Sequence, residues 1–345
     1  MKGRGANSVW DTASKWPDVI STLKAERIGV MALQETHMTD KLLQEIKSRY
    51  EGDARIFSSA DQLNPNSKGV AILLNERLTC TEDVKVHELV PGRALQISYQ
   101  WHKNKTITVL ALYAPSDTPK EKEDFWKVLN DIYTAPADSG RSVPFPDIVL
   151  GDMNLTAEGI DRLPAHLDDL HAVSAMRTFL LNLKLVDGWR RFFPARREFS
   201  FTSTDGARRA RLDRIYVGEE AFATCQNWKI ELPQRINTDH WQVSVELTDP
   251  ALPHTGRGRY AMPRYVLTID RVMNEIVEQG KALQKTIDEF DGGKRTRTAT
   301  DNIQTHFSKW KGEVIKSIRQ YVKVNVPHLD AEIAKTQDEL VSVLN

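Results

Sequence analysis

The chain has 345 residues, of which 40% are hydrophobic and 27% are charged, and its 47 basic residues balance its 47 acidic ones. This composition predicts a globular chain with a hydrophobic core, and it excludes a disordered tail and a globally basic nucleic-acid binder. No apolar run approaches the roughly 18 residues of a membrane-spanning helix, and no secretory signal follows the first residues, so we predict no membrane association. Cys80 and Cys225 lie outside any Cys-x-x-Cys pair, which argues against a disulfide scaffold or a zinc site and predicts a reducing, intracellular environment.

Residues 1–248 are predicted to form short strands and amphipathic helices. In chain order these are a helix at 14–25, a buried strand at 28–36 with a polar end, a helix at 41–50, a core strand at 69–74, a hairpin at 94–113, a helix at 118–133, a buried strand at 146–150, a helix at 166–184, and strands at 199–203, 211–217, 228–232 and 241–247. Because helices separate only some of the strands, this order predicts an α+β fold, a two-sheet α/β sandwich with helices on the outside.

The rest of the chain has a different pattern. Residues 249–264 are rich in proline and glycine and are predicted to be a linker. Residues 265–345 are predicted to be a helical appendage, broken into two pieces at 291–297. One apolar stripe runs along the second piece, with spacings of three and four residues, at Ile303, Phe307, Trp310, Val314 and Ile318. The stripe predicts a docking face rather than a functional site.

Four polar clusters come directly after predicted apolar strands. They are Gln34-Glu35 with His37, Gly151-Asp152-Met153-Asn154, Leu212-Asp213, and Thr238-Asp239-His240. Strand ends meet at one rim of a sheet, so these side chains can converge although they are distant in sequence. Carboxylates, an amide and a histidine without a nucleophilic serine or cysteine indicate a hard divalent cation with acid–base assistance. The alternative for each cluster alone is a helix cap or a turn, and His37 is assigned to a turn.

Five motifs, in this order and spacing, resemble the endonuclease/exonuclease/phosphatase superfamily, the fold of DNase I and of exonuclease-III-type apurinic endonucleases. The motifs are Gln34-Glu35, Leu112-Tyr113-Ala114-Pro115, Gly151-Asp152-Met153-Asn154, residues 211–216, and Thr238-Asp239-His240. Residues 32–37, 199–203 and 212–216 look most like the endonuclease domain of non-LTR (LINE-type) retrotransposons. The resemblance covers residues 1–248 and implies a DNase I-like fold and a metal-dependent endonuclease that nicks DNA.

The resemblance also implies catalytic roles for five residues. Asp152 would be the general base or would position the attacking water, and Asn154 would orient the water and the phosphate. His240 would contact the scissile phosphate, while Asp213 would orient its imidazole and favour the charged form. Tyr113 would donate a hydrogen bond to the phosphate, although a packed aromatic at the strand end is the alternative.

A metal ion and the phosphate would be held by further residues. By the same resemblance, Glu35 is the metal ligand, and Asp239 is a further carboxylate of the metal or water network. The expected cation is Mg²⁺, with Mn²⁺ left open. Ser200 matches a hydroxyl position that contacts the phosphate.

A basic patch favours a nucleic-acid substrate. Eight arginines fall within 25 residues, at positions 190, 191, 196, 197, 208, 209, 211 and 214. Residues 204–210 are predicted to form a hairpin loop beside the site. Arg208, Arg209 and Arg211 are predicted to bind DNA phosphates, and the alternative is a solvated charged loop.

One departure from the family concerns the first strand, which in relatives ends in an Asn that binds metal or phosphate. Residues 1–5 resemble those that follow this Asn, so the first strand is predicted to be missing; Asn7, which falls after the turn, is a conceivable substitute. The chain also stops in its helical region, where a full retroelement protein would continue into a reverse transcriptase. It is therefore expected to be a fragment, or a gene model that starts at an internal Met.

The leading hypothesis is a Mg²⁺-dependent DNA-nicking endonuclease of retrotransposon origin, with a nuclear location inferred from its substrate. The first alternative is a catalytically impaired fragment that retains DNA binding. The second is an RNA or other phosphoester hydrolase of the same fold; the arginine patch argues against a phospholipid substrate.

Overall fold

The structure is a computed structural model, and it describes residues 8, 10, 14–61, 68–102, 105–135, 143–233, 235–236, 238–248, 262 and 264–344. The chain falls into two compact units, Met1–Leu252 and Pro253–Asn345. Asn7 and most of the predicted linker at 249–264 lie outside the described residues.

The helices and strands follow the predicted order. The helices are α1 (Trp16–Ala25), α2 (Asp40–Arg49), α3 (Pro119–Thr134), α4 (Leu170–Asn182), α5 (Gly188–Phe192), α6 (Glu219–Phe222), α7 (Asp270–Asp291) and α8 (Ile303–Leu344). The strands are β1 (Val30–Gln34), β2 (Ala54–Ser59), β3 (Val70–Asn75), β4 (Lys85–Val90), β5 (Ala94–His102), β6 (Lys105–Tyr113), β7 (Ile148–Asp152), β8 (Arg162–Leu163), β9 (Leu185–Asp187), β10 (Phe201–Thr202), β11 (Arg209–Ala210), β12 (Asp213–Gly218), β13 (Cys225–Glu231) and β14 (Gln242–Leu247).

Side-chain hydrogen bonds to the backbone determine where α3 and α4 begin. Thr118 and Glu121 form a reciprocal capping box, which confirms the predicted start of α3. The helix predicted at 166–184 instead begins at Leu170, because the Asp169 carboxylate accepts hydrogen bonds from the first free backbone N–H groups of α4.

Two sheets pack face to face, which confirms the predicted sandwich. One has the order β1-β3-β2, and the other has the order β4-β5-β6-β7-β12-β9. Neighbouring strands run antiparallel except β6 and β7, which are parallel. The apolar side chains of β3 pack against those of β5 and β6 and form the core between the sheets.

Helices cover both outer faces of the sandwich. α1 and α2 bury Val19, Leu23 and Ile46 against the outer face of the first sheet. α3 and α4 bury Trp126 and Phe179 against the six-stranded sheet. The resulting helix–sheet–sheet–helix arrangement leaves the strand ends free to carry the polar residues.

The second unit is helical. The break predicted at 291–297 falls between α7 and α8, and a small core contains Val266, Val272 and Ile318. The predicted apolar stripe is only partly buried, because Phe307 is 44% exposed and stacks on Trp310. Among the described parts of the chain, no helix is both long enough and apolar enough to cross a membrane.

Candidate active site

Three candidate residues lie side by side at one end of the six-stranded sheet. Tyr113, the last residue of β6, pairs with Asp152 of β7, and Asp152 pairs with Asp213 of β12. Because paired residues on neighbouring strands point to the same face, the three side chains share one surface. Gly151, with φ of +142°, permits this arrangement, since a Cβ atom there would clash with the carbonyl oxygen of Leu112.

Glu35 reaches the same surface from the first sheet. It follows β1 directly, and its positive φ of 52° ends the extended backbone. Its Oε1 atom accepts a hydrogen bond of 2.7 Å from the Tyr113 hydroxyl. Burial raises the pKa of Tyr113 and the bond to Glu35 raises it further, so the phenol stays protonated. A phenol has one proton to donate. Because Tyr113 donates it to Glu35, the hydroxyl has no second hydrogen for the predicted bond to the phosphate.

The Asp152 carboxyl group is buried at the centre of this surface, with 5% of the residue exposed. Burial raises its pKa to about 7, and the neighbouring Asp213 carboxylate acts in the same direction. His240 opposes the rise, as does the backbone N–H of Asn154, which donates to Asp152 Oδ1 at 2.9 Å. A carboxyl group with this pKa can accept a proton near neutral pH, as a general base does.

His240 and Asp213 form a hydrogen-bonded pair beside Asp152. The Nδ1 atom of His240 lies 2.8 Å from Asp213 Oδ2. Burial by itself lowers the pKa of His240, but the Asp213 carboxylate outweighs it and raises the pKa to about 9. The imidazole is therefore a cation at neutral pH, with Nδ1–H donating to Asp213. Asp152, Asp213 and His240 each offer one ligand atom, and these atoms lie within 4.8 Å of one another.

Asn154 lies two residues beyond Asp152 in a left-handed conformation, with φ of 45°. Asn adopts this conformation more readily than most residues, although such strain persists only where the surroundings hold it. Its carboxamide Nδ2 donates to the Ala114 carbonyl oxygen at 2.8 Å, which holds the side chain against the segment after Tyr113.

Asp239 and an unpredicted lysine lie near the Glu35 side of the site. The Lys15 ammonium, directly before α1, interacts electrostatically with Asp239 and with Glu35. Burial lowers the pKa of Lys15, and the two carboxylates oppose this change. Lys15 has no strand before it, so the pattern of polar residues after apolar strands does not identify it.

Ser200 does not face the substrate, which corrects the predicted phosphate contact. The residue is fully buried, and its hydroxyl oxygen accepts hydrogen bonds from the backbone N–H groups of Leu212 at 3.0 Å and Asp213 at 2.9 Å. The backbone N–H of Trp241 also donates to the Ser200 carbonyl oxygen. Ser200 therefore joins the segments that carry Asp213 and His240, and it positions this pair.

Arg211 does not bind substrate either, because it is 1% exposed. Its guanidinium group contacts Asp161 at 2.7 and 3.0 Å and Asp187 at 3.1 and 2.8 Å. Arg214 contacts the same two carboxylates and is also buried. These partners lie 24 to 53 residues away along the chain, so the sequence pattern of the patch could not distinguish buried arginines from exposed ones.

Arg208 and Arg209 lie on the hairpin formed by β10 and β11, as predicted. Arg208 is exposed, and Arg209 is half-buried. The hairpin turn is fixed because the Ser203 hydroxyl oxygen accepts a hydrogen bond of 2.9 Å from the Arg208 backbone N–H. The hairpin lies beside the site, because Phe201 at its base forms a β-bridge with His240. His37 lies in the loop between β1 and α2, with φ of 45° and its backbone N–H donating a hydrogen bond to the Lys68 carbonyl oxygen.

Comparisons with known proteins identify the family and the fold. Residues 15–244, more than half of the chain, match the Endonuclease/Exonuclease/phosphatase family. An AP endonuclease from Archaeoglobus fulgidus is similar with a TM-score of 0.53 and 22% identity, over 70% of this chain and 96% of that one. An AP endonuclease from Leishmania major is similar with a TM-score of 0.56 and 15% identity, over 72% of this chain and 86% of that one. These likenesses confirm the predicted DNase I-like fold.

A weaker likeness concerns the predicted branch of the superfamily. The endonuclease domain of a telomere-specific non-LTR retrotransposon is similar with a TM-score of 0.47 and 16% identity, over 69% of this chain and 94% of that one. The retrotransposon branch therefore rests on the sequence motifs alone.

Proposed function

Because the chain belongs to the endonuclease/exonuclease/phosphatase family of phosphoester hydrolases, we propose that it is a metal-dependent phosphodiesterase that nicks DNA and derives from a non-LTR retrotransposon. The observation that carries this proposal is the group of Asp152, Asp213 and His240 at the strand ends. It combines a carboxyl group titrating near neutral pH with a charged imidazole, as water attack on a phosphodiester requires.

The family depends on a divalent metal ion, and the residues present fit one. Glu35 and Asp239 offer carboxylate oxygens, which hard cations such as Mg²⁺ and Mn²⁺ prefer. Both carboxylates already attract the Lys15 ammonium, which is consistent with a region that holds positive charge. Since His240 Nδ1 is bonded to Asp213, we assign the cation to the carboxylates. Bound there, it would offset negative charge on the phosphate and the leaving oxygen.

The other catalytic roles are assigned to side chains of the protein. Asp152 accepts the proton of the attacking water, and His240, kept charged by Asp213, donates a hydrogen bond to a phosphate oxygen. Asn154 orients the phosphate through its carboxamide. Tyr113 holds the Glu35 carboxylate in place through its hydroxyl group.

The exposed Arg208 favours a nucleic acid as substrate. It lies on a hairpin whose base contacts His240, so a bound phosphate backbone can reach the arginine and the site together. The motifs shared with non-LTR retrotransposons favour DNA, and a reverse transcriptase region is the partner that this origin implies.

A supercoiled-plasmid nicking assay with Mg²⁺ tests this function. We expect the chain to produce open circles, and Asp152→Ala and His240→Ala to abolish nicking without unfolding the protein. Asp131→Ala, at an exposed position of α3, is the matched control and should nick as fast as the parent.

Two results would contradict the proposal in different ways. Nicking by Asp152→Ala at the parental rate would mean that the assigned roles are wrong. An intact plasmid, together with Asp152-dependent hydrolysis of RNA or of a phosphomonoester, would leave the site correct and the substrate wrong.

A further inference from the structure

Lys122 of α3 contacts the turn that carries the candidate catalytic residues. Its Nζ atom donates a hydrogen bond of 2.9 Å to the backbone carbonyl oxygen of Asn154, 32 residues later in the chain. Lys122 is half-buried, and the Asp152 and Asp168 carboxylates attract its ammonium group. Its stem therefore lies in the protein, and its charge lies at the site rather than in solvent.

The other lysines of the same helix behave differently. Lys120 and Lys127 extend over the surface and pair with Glu123, with side chains 68% and 55% exposed. Such exposed pairs contribute little to stability. Lys122 is thus distinguished from its neighbours by its partner, which is the main chain of a candidate catalytic residue.

Asn154 needs this support because of its backbone conformation. Its φ of 45° lies in the left-handed region, where surrounding contacts must hold the residue. Its N–H group donates to Asp152, its carboxamide donates to Ala114, and its carbonyl oxygen accepts from Lys122. The contact with Lys122 involves a charged donor, and such hydrogen bonds are stronger than neutral ones.

We propose that Lys122 is a positioning residue, which fixes the Asn154 turn so that the Asn154 carboxamide keeps its orientation at the site. The inference rests on the proposed function, because it assigns Lys122 to the same site. Lys122 acts through Asn154 and does not contact the phosphate itself. Its loss therefore lowers the rate of the chemical step and leaves substrate affinity unchanged.

Steady-state nicking by the full chain tests this role. Lys122→Met is expected to lower kcat about tenfold, the size of effect that loss of positioning produces, with KM within about twofold. Lys122→Arg, which keeps a charged donor, should recover most of the rate. Lys127→Met is the matched control and should be indistinguishable from the parent.

A double-mutant cycle shows whether Lys122 acts through Asn154. In the Asn154→Ala background, measured under single turnover with excess enzyme, Lys122→Met should lower the rate by less than about twofold. A full tenfold loss in that background would overturn the proposal, because the two residues would then act independently. An unchanged kcat for Lys122→Met, or a raised KM with an unchanged kcat, would also overturn it.

Two further measurements distinguish a loss of the Lys122 role from a loss of structure and from a failure of the proposed function. Thermal unfolding of each variant identifies a general loss of structure, and if Lys122→Met does not fold, Lys122→Gln replaces it with the same expected split. If the parent chain does not nick DNA, the proposed function has failed; if it nicks and Lys122→Met nicks equally well, only the role of Lys122 has failed.

Discussion

The Asp213 carboxylate and the His240 imidazole form one hydrogen-bonded pair, 2.8 Å apart, which connects the start of β12 to the segment before β14. The pair determines the charge of His240, because burial by itself would keep the imidazole neutral. It also depends on Ser200, which binds the backbone on both sides of the pair.

Asp213→Asn is expected to lower the pKa of His240 below its present value of about 9. Burial already lowers this pKa, and the Asp213 carboxylate is the main cause that raises it. The imidazolium form is then lost at a lower pH, so nicking by the variant should decline with rising pH earlier than nicking by the parent. Histidine titration by NMR measures the shift. An unchanged His240 titration would contradict the assignment.

Ser200→Ala is expected to lower the free energy of unfolding by about 1–3 kcal/mol, because the backbone N–H groups of Leu212 and Asp213 lose a buried acceptor. Urea unfolding measures the change. Ser174→Ala, at an exposed position of α4, should change stability by less than about 0.5 kcal/mol. Equal effects of the two substitutions would exclude a positioning role for Ser200.

Gly151→Ala is expected to destabilise the protein by at least about 2 kcal/mol, since the new Cβ atom would clash with the Leu112 carbonyl oxygen between β6 and β7. The positive φ of 142° at this position adds strain. Gly159→Ala is the matched control, because its Cβ atom would meet nothing within 4 Å. Thermal unfolding distinguishes the two, and a stable Gly151→Ala protein would argue against the close strand approach.

The ion pairs that buried Arg211 and Arg214 form with Asp161 and Asp187 predict a loss of stability in acid. Burial alone would raise the pKa values of Asp161 and Asp187, but Arg211 and Arg214 outweigh it and lower both. Because the folded pKa values lie below the unfolded value of about 3.9, the ionised carboxylates stabilise the protein above that pH. This stability is lost as the pH falls further.

Urea unfolding between pH 6 and pH 3 measures this loss. We expect the free energy of unfolding to fall more steeply below about pH 4 in the parent than in Asp161→Asn, whose side chain does not titrate. Parallel curves would mean that Asp161 does not contribute to the acid dependence.

Arg208→Glu is expected to weaken DNA binding and to reduce the dependence of the logarithm of affinity on the logarithm of salt concentration by about one unit. The reason is the exposed position of Arg208 on the hairpin beside His240. Fluorescence anisotropy with a labelled duplex in EDTA measures binding without cleavage. Arg177→Glu, at an exposed position of α4, is the control; equal losses in the two variants would indicate a general charge effect.

The sequence by itself was sufficient to predict the sandwich and the strand ends that carry Glu35 and Asp152, whereas Asp213 lies at the start of β12 and not after an apolar strand. Apolar runs that stop at polar residues mark where a buried strand emerges, and this signal is local. The capping box of α3 could be read for the same reason, because its two residues are three positions apart. Motif resemblance then identified the family, which the match over residues 15–244 confirms.

Only the tertiary structure decided how identical residue types are used. Arg208 faces solvent and Arg211 is buried, because the fold brings Asp161 and Asp187 to Arg211 and not to Arg208. Ser200 binds backbone N–H groups rather than a phosphate, and Lys122 reaches Asn154 across 32 residues. A charged or polar side chain can be buried only where partners offset its desolvation, and those partners come from distant parts of the chain that no local pattern identifies.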